Sequence, residues 1–316
     1  MVEKLKPDWA GTDLLSRFVN RLIETKPLYQ WMKYQARQVL IKTAEKNGVA
    51  WRANRQALAQ GEAPSLLDRM TNPSVTYPDY YQVPFHAYDE GNLSWQAAFE
   101  APSATYAMAL RVWKNEPLTW QEAHHRLRHS FHQVLEAYLP PTLNQVLDVG
   151  CSVGISTLTL YRYLQQRQTE PLQMLGLDLS PYMLAVAKVL DEKQEIAQWV
   201  HGLAEATSFA DHTFDLVTLQ FLLHELPQKA TGEIFQEVKR ILRPGGLVAI
   251  MDNNPASPVI QGLPPALFVL MKSTEPWSDE YYTYDVEGDL QRLGFDYQIT
   301  VASDPRHRTL IARKPS

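Results

Sequence analysis

The stretch that decides the fold reads Val146-Leu147-Asp148-Val149-Gly150-Cys151-Ser152-Val153-Gly154. Its first half is a short apolar run that ends in an acid and a glycine, which is typical of a buried strand followed by a tight turn. A helix is predicted directly behind it, from Ile155 to about Gln165. Free N–H groups at the start of such a helix favour a polar or anionic ligand. The stretch therefore predicts a strand, a ligand-binding turn and a helix in succession.

Strands and helices alternate through the rest of the chain. Apolar runs at Met174–Leu179, Phe214–Gln220 and Leu247–Met251 predict further strands, and two closing strands are expected from Phe295 onward, around the turn at 304–308. This order predicts an α/β fold with a parallel sheet and crossover helices.

The glycine spacing excludes the dinucleotide fingerprint Gly-x-Gly-x-x-Gly, because the corresponding positions hold Gly150, Ser152 and Ile155. A dehydrogenase is therefore disfavoured. Asp178 ends the second predicted strand, where an acid suits the two hydroxyls of a ribose. The same carboxylate could instead cap the helix predicted near Ser180.

The string Asp148-x-Gly150-x-Ser152-x-Gly154 resembles the first motif of class I S-adenosylmethionine-dependent methyltransferases. Residues 177–184, 201–217 and 242–246 are similar to later motifs of that family. The resemblance covers about residues 130–316, and it implies a Rossmann-like seven-stranded methyltransferase sheet, with S-adenosyl-L-methionine as cofactor. Members often carry Asp at the position of Leu203 to bind adenine, so here the resemblance implies apolar and backbone contacts instead. The cofactor-binding residues it implies are Asp148, Gly150, Cys151, Ser152, Gly154, Asp178, Leu179, Leu203, Ala204, Glu205 and Gln220.

Two further segments, 85–88 and 271–277, look like those of an uncharacterised group of cyanobacterial and plant-plastid methyltransferases. More distantly, the core is similar to the ubiquinone and menaquinone biosynthesis methyltransferases. That similarity implies a lipophilic acceptor by analogy only.

The acceptor atom is expected to be oxygen or carbon, because the Asn/Asp-Pro-Pro-aromatic motif of amide and exocyclic-nitrogen methyltransferases is absent after the fourth strand. Such an acceptor needs a base while its proton is present. His224 and His86 are the candidate catalytic residues, followed by Glu225 and Asp252, and each of them could be structural instead.

Aromatic side chains are the candidate substrate-binding residues, since rings offer apolar contact area at low entropic cost. They are Tyr81, Phe85, Tyr88, Trp95, Trp277, Tyr281 and Tyr282. Residues 63–95 are interpreted as an ordered aromatic loop that either packs into the domain seam or lines the pocket. A lid insert is predicted at about 253–285, with 266–271 as an apolar wall.

The predicted function is methyl transfer to a small, hydrophobic acceptor, aromatic or isoprenoid. The alternatives are an RNA or protein methyltransferase and a non-catalytic S-adenosylmethionine-binding protein. The net charge of −5 divides into +6 for residues 1–60 and −11 for the remainder. An acidic catalytic portion disfavours a DNA groove, while the basic start leaves RNA open.

The sequence predicts two regions. Residues 1–130 form a helical and aromatic extension that binds substrate and acts as a lid, and residues 131–316 form the cofactor-binding domain. Amphipathic helices are expected from Asp13 to about Lys46, broken at Pro27, and they either pack on the catalytic domain or rest on a membrane surface. No cleaved signal peptide is apparent, so a cytoplasmic protein is expected. A single cysteine excludes an internal disulfide, and the sequence does not set the oligomeric state.

One helix carries a histidine face that resembles a metal site. On the helix predicted from Trp120 to Leu139, His125, His129, His132 and Glu136 share a face opposite the apolar stripe. That face is expected to lie in solvent, where nothing closes a coordination shell. No metal site is predicted.

Overall fold

The computed structural model describes Arg21 and residues 25–86, 88–263 and 273–316. Seven strands form one sheet in the order β3-β2-β1-β4-β5-β7-β6. The first five are parallel, and β7 runs antiparallel between β5 and β6. The strands are β1 (Gln145–Val149), β2 (Gln173–Asp178), β3 (Gln198–His201), β4 (Phe214–Gln220), β5 (Leu242–Asn253), β6 (Asp296–Ala302) and β7 (His307–Arg313). The prediction of an α/β fold with a seven-stranded methyltransferase sheet is confirmed.

Helices precede, connect and follow these strands. They are α1 (Lys26–Lys46), α2 (Trp51–Gln60), α3 (Ala63–Met70), α4 (Trp95–Val112), α5 (Trp120–Glu136), α6 (Ile155–Gln166), α7 (Pro181–Leu190), α8 (Gln228–Ile241), α9 (Pro258–Gln261), α10 (Ser278–Thr283) and α11 (Val286–Arg292). Short 3₁₀ turns lie at Asp79–Tyr81 and Leu223–Glu225.

The strand registers align the carboxyl ends of the central strands along one edge. Val149 pairs with Leu177 on one side and with Leu219 on the other. Across the sheet, Asn253 at the end of β5 pairs with His307 at the start of β7. Ligands of open α/β sheets bind outside this edge, so the residues that follow β1, β2, β4 and β5 are brought together there.

The core lies on both faces of the sheet, as a parallel sheet requires. Adjacent strand residues alternate between faces: Val146 packs with Leu127 of α5, and Leu147 packs with Phe235 of α8 in the opposite cluster. The periodicity of both helices explains this, since each presents one apolar stripe. The helices therefore clamp the sheet and leave its carboxyl edge open.

The amino-terminal helices pack onto this core. Ala97 and Phe99 of α4 share a cluster with Val153 of the glycine loop and Met183 of α7. The segment interpreted as an aromatic loop, 63–95, begins with helix α3, so that interpretation is wrong for its first eight residues. Pro27 sits in the first turn of α1, which ends at Lys46 as expected. The helix predicted before Pro27 lies almost wholly outside the described residues.

The prediction that the histidine face of α5 lies in solvent holds for two of its three histidines. His125 and His129 are exposed as expected. His132 was predicted to lie in solvent, but it is buried, because its ring stacks on Tyr163 of α6 at 4.4 Å between centroids. The predicted solvent face is therefore narrower than the sequence indicated. Within the described ranges, no helix is long and apolar enough to span a membrane.

Candidate active site

A cavity of about 680 Å³ lies at the carboxyl edge of the sheet. The glycine loop, the ends of β2 and β4 and the amino-terminal helices surround it. The predicted site residues that line it are Gly150, Cys151, Ser152, Asp178, Leu179, Ala204, Glu205, Gln220, His224, His86, Tyr81 and Tyr88. Residues from five separate segments of the sequence thus face one space.

The loop after β1 is held in a conformation that demands small residues. Gly150 has φ +69°, and a Cβ there would lie 2.8 Å from Leu222. Ser152 also has a positive φ of +49°, which is uncommon for a residue with a side chain. Gly154, with φ +76°, precedes the first turn of α6, and a Cβ there would lie 2.4 Å from the Trp199 ring. Gly150 therefore faces the cavity, whereas Gly154 sets the packing beneath it.

Asp178 links the glycine loop to the start of α7. Its carboxylate accepts the backbone N–H of Ser152 at 2.7 Å and that of Ser180 at 2.8 Å. Ser180 is itself the N-cap of α7. Burial raises the pKa of Asp178 to about 6. The carboxylate thus supports the residue that caps α7 but is not itself the cap, which corrects the capping alternative, and it also lines the cavity.

Asp148 lies behind the loop rather than in the cavity wall formed by the described residues. It accepts hydrogen bonds from Thr157 of α6 and Thr218 of β4, both at 2.6 Å, and a long one from the Gln220 amide at 3.5 Å. Burial raises the pKa of Asp148. A direct contact between this carboxylate and a ligand is thus not supported: Asp148 ties α6 to β4 and orients Gln220.

The segment after β3 holds three predicted cofactor-binding residues, and two of them line the cavity. Ala204 and Glu205 line the cavity, but Leu203 is not among the described lining residues. Tyr80 donates its hydroxyl to Glu205, and burial raises the pKa of that tyrosine strongly. The expected apolar contact from Leu203 is therefore not supported, and the neighbouring Ala204 occupies the cavity wall.

His224 and Asp252 form a buried pair beside the cavity. The imidazole Nδ1 lies 2.7 Å from Asp252 Oδ1, and the backbone N–H of His224 donates to the other carboxylate oxygen at 3.2 Å. Burial lowers the pKa of His224, but the carboxylates of Asp252, Glu275 and Glu225 outweigh it and raise that pKa to about 9. His224 is therefore an imidazolium at neutral pH, paired with the ionised Asp252.

Glu225 and His86 complete this cluster. His86 Nε2 lies 3.7 Å from Glu225 Oε1, and Asn92 donates to Glu225 Oε2 at 3.1 Å. Burial raises the pKa of Glu225 to about 7, against the opposing effect of His224. Enclosure in the cavity wall and the charge of His224 lower the pKa of His86 to about 3. His86 has φ +48° and is held by its N–H bond to the Thr274 carbonyl at 2.8 Å.

One donor atom from each of His86, His224 and Glu225 lies within 4.8 Å of the other two. Within the described ranges this is the one group spaced like a set of metal ligands. The sequence singled out the histidines of α5 instead. The absence of a metal remains a prediction.

The predicted aromatic residues separate into two groups. Tyr81 and Tyr88 line the cavity, whereas five others are not among its described lining residues: Phe85, Trp95, Trp277, Tyr281 and Tyr282. Trp95 stacks on Phe99 at 4.9 Å, and Trp277 donates to the Tyr80 carbonyl at 3.3 Å. Direct substrate contact by these five is not supported, and they pack behind the wall. Of the predicted lid, 264–272 lies outside the described residues, and Leu263, Thr274 and Glu275 line the cavity.

Sequence reasoning missed the cationic part of the lining. Arg37 pairs with the buried Glu100, which also accepts from Tyr88 at 2.9 Å. Arg111, Arg128 and Arg306 line the cavity as well. Periodicity gives no signal for Arg37, Arg111 and Arg128, because a charged residue on an amphipathic helix is ordinarily assigned to solvent. Arg306 lies in the turn before β7, where no helical periodicity applies.

Comparison with known proteins agrees with the geometry. Residues 147–250 match the family described as "Methyltransferase domain". An uncharacterised methyltransferase of Synechocystis, sll0829, is 35% identical over 167 residues, which are 52% of this chain and 73% of that protein. The demethylmenaquinone methyltransferase of Lactiplantibacillus plantarum is 38% identical over 120 residues. That match covers 37% of this chain, and it spans 48% of the length of the relative.

Solved structures resemble the chain more distantly. A SAM-dependent methyltransferase from Aquifex aeolicus is 20% identical and has a TM-score of 0.46, over 65% of this chain and 98% of that one. The relationship rests on the sequence matches and on the site described above. The chain belongs to the class I S-adenosylmethionine-dependent methyltransferases.

Proposed function

We propose that this chain transfers the methyl group of S-adenosylmethionine to an oxygen or carbon atom of a small, largely apolar acceptor. The observation that carries the proposal is that the glycine loop and the cluster of His86, His224 and Glu225 face one cavity of about 680 Å³. Cavities of roughly 300–1,000 Å³ hold small organic ligands. Donor and acceptor can therefore share this cavity.

The residues around the glycine loop fit the cofactor. Each Asp178 oxygen accepts one backbone N–H, which leaves lone pairs for the ribose hydroxyls. The Gln220 amide nitrogen faces Asp148, so its buried oxygen is left without a donor among the described residues. The ammonium group of the cofactor can supply one. When bound, the cofactor provides an electrophilic methyl group whose transfer leaves a neutral thioether.

The chain's own residues position the acceptor, exclude water and accept the proton that the acceptor loses. Positioning and dehydration are large contributions in such a displacement. Glu225, whose pKa of about 7 matches neutral conditions, is the residue we assign to take the acceptor proton. His224 remains protonated and donates a hydrogen bond to the acceptor atom as it gains negative charge. This division replaces the hypothesis that His224 is itself the base.

The apolar part of the cavity lining favours a small acceptor over a macromolecule. Leu40 of α1 and Met108 of α4 contribute to its wall, and their apolar side chains suit a small apolar molecule. RNA and protein remain the alternative acceptors, and binding without transfer is a further alternative.

The acceptor class is tested by incubating the purified protein with S-adenosylmethionine labelled in its methyl group and four separate fractions: a lipid extract, a soluble metabolite extract, RNA and protein. We expect label in one of the two small-molecule fractions. Label in RNA or protein would identify a macromolecular methyltransferase, and binding of the cofactor without label in any fraction would support a non-catalytic protein.

We also propose peripheral membrane contact through α1, which lies in the basic part of the sequence. Trp31 and Tyr34 are 59% and 56% exposed on this helix, and exposed aromatic rings among basic residues suit a headgroup region. Co-sedimentation with anionic vesicles, compared between the wild type and the double variant Trp31→Ala/Tyr34→Ala, tests this. Equal sedimentation of the two proteins would contradict it.

A further inference from the structure

Three arginines in the cavity wall have no carboxylate partner. Within the part of the chain that the structure describes, Arg111, Arg128 and Arg306 form no ion pair, although all three line the cavity. Most other arginines do form one. The paired ones are Arg37, Arg52, Arg55, Arg126, Arg162, Arg167, Arg240, Arg243, Arg292 and Arg308.

Arg128 is the most enclosed of the three. Its side chain is buried, its guanidinium lies 5.4 Å from the centre of the Phe221 ring, and its Nη1 has no hydrogen-bond partner among the residues that the structure describes. Its Nε donates only to the neutral ring of His124, at 3.2 Å. Burial lowers the pKa of Arg128 to about 10, which still leaves it charged at neutral pH. The Asp148 carboxylate opposes that shift without forming an ion pair with Arg128, so among the described residues the guanidinium still lacks a direct anionic partner, which a ligand could supply.

Arg111 and Arg306 extend the positive charge along the same wall. Burial lowers the pKa of Arg111, and the charge of Arg306 lowers it further, so the two guanidiniums are close enough to repel each other. Arg306 precedes β7, and its Nε donates to the Asn253 side chain at the end of β5, at 3.0 Å. Like charges gathered at one cavity wall are destabilising on their own, and an anion between them would relieve that repulsion.

The sheet order separates this wall from the ribose acid. Asp178 ends β2, whereas Asn253 and Arg306 lie at β5 and β7, on the opposite side of β1 and β4. The glycine loop after β1 and Gln220 at the end of β4 lie between Asp178 and Arg306 in the order of the strands. If the cofactor occupies the β1–β2 side, as the proposed function requires, Arg306 lies on the side left for the acceptor, and the charge of Arg111 interacts with that of Arg306. Arg128 lies between the two sides, against the Phe221 ring that follows β4.

We propose that Arg111, Arg128 and Arg306 bind an acidic group of the acceptor, a carboxylate or a phosphate carried on an apolar body. Guanidinium groups match both anions through paired N–H donors. That the bound acid is the methyl acceptor rests on the proposed function, but the binding of an anion at these arginines can be tested without methyl transfer. Within the small, largely apolar acceptors of the proposed function, it specifies those that carry an acidic group.

The test uses calorimetry on the full-length protein saturated with S-adenosylhomocysteine. The probes are 1-naphthoate, 1-naphthyl phosphate and neutral 1-naphthamide, which share a ring system. The variants are Arg111→Gln, Arg128→Gln and Arg306→Gln, each measured alone. Arg126→Gln is the matched control, because Arg126 lies on the same helix as Arg128 but pairs with Glu116 at the surface.

We expect the wild type and Arg126→Gln to bind at least one acidic probe ten times or more tightly than the amide. Arg111→Gln, Arg128→Gln and Arg306→Gln should each lose that preference while keeping the affinity for S-adenosylhomocysteine within twofold. Comparing the two acids distinguishes a carboxylate site from a phosphate site. No preference for either acid, including no binding of any probe, would overturn the proposal.

A variant that weakens S-adenosylhomocysteine and leaves the acidic probes unaffected would also overturn it, since the arginines would then serve the cofactor. If S-adenosylhomocysteine fails to bind at all, the proposed function fails. The naphthyl probes, titrated into the unliganded protein, then test the anion site independently.

Discussion

Replacing Asp178 by asparagine keeps the size of the side chain and removes its charge. In the structure this carboxylate accepts two backbone N–H groups, from Ser152 and Ser180. Asparagine has one acceptor oxygen, so one of these N–H groups must face an NH₂ group, and one hydrogen bond to the ribose changes from charged to neutral or is lost. A hydrogen bond to a charged group contributes about 1.5–3 kcal/mol. We therefore expect Asp178→Asn to bind S-adenosylhomocysteine roughly 10- to 150-fold more weakly.

Isothermal titration calorimetry with S-adenosylhomocysteine measures this loss, and Asp215→Asn is its matched control. Asp215 also accepts two backbone N–H groups, from Asn144 and Gln145, both at Oδ2, at 2.7 and 2.9 Å, and its Oδ1 pairs with Arg243 at 2.5 Å. It lies at the amino end of β4, remote from the cavity. We expect both variants to lose stability and only Asp178→Asn to lose affinity.

The pH dependence provides a second readout of the same carboxylate. Burial raises the pKa of Asp178 to about 6 in the free protein, and the ribose hydroxyls would hydrogen-bond to its ionised form. Affinity should therefore be full above pH 7 and fall as the pH drops through 6, and Asp178→Asn should abolish this fall. A folded Asp178→Asn protein that binds S-adenosylhomocysteine within twofold of the wild type would refute the ribose assignment.

The other predictions concern the proton route, the glycine loop and metals. Because the pKa of Glu225 is raised to about 7, kcat/KM for the labelled acceptor should rise with pH through 7 as this residue loses its proton. Because the pKa of His224 is raised to about 9, kcat/KM should fall as the pH rises through 9. A flat profile from pH 6 to 10 would contradict this. Gly154→Ala should cost about 1–3 kcal/mol more in urea unfolding than Gly245→Ala, because both have positive φ but only Gly154 faces a close ring, that of Trp199; equal losses would show that the contact relaxes. Dialysis against EDTA should leave the transfer rate unchanged, because Glu225 provides the route for the proton; restoration of a lost rate by added Zn²⁺ would show that a metal is needed.

The sequence is sufficient to predict the sheet because its strands are local patterns. The run from Val146 to Gly150, the acid at Asp178 and the strand ending at Gln220 are each visible within a few residues, and in the structure they meet at one edge. Asp178 illustrates the limit of such a prediction. The sequence offers a ribose ligand or a helix cap as its role, whereas in the structure Ser180 is the cap and Asp178 accepts the Ser180 N–H while it lines the cavity.

The rest of the site depends on contacts between segments that are distant in sequence. His132 is buried because Tyr163 of another helix covers it, and no periodicity within α5 reveals that. The pKa of Glu225 depends on burial, on the adjacent His224 and on Asn92, and only the fold supplies the burial and brings in Asn92. The three cavity arginines lie on α4, on α5 and before β7, so their convergence follows from topology rather than from a motif. Ala204 lines the cavity and its neighbour Leu203 does not, and a motif match cannot tell two adjacent positions apart.

The central claim is that a cofactor and a small acceptor share the cavity beside Glu225. It is tested most directly by the rate at which labelled methyl groups enter the small-molecule fractions at pH 8, compared between the wild type and Glu225→Gln, with S-adenosylhomocysteine affinity measured on both. We expect label in one small-molecule fraction with the wild type, and a rate at least tenfold lower for Glu225→Gln at equal affinity. No small-molecule label with the wild type, or equal rates in the two proteins, would contradict it.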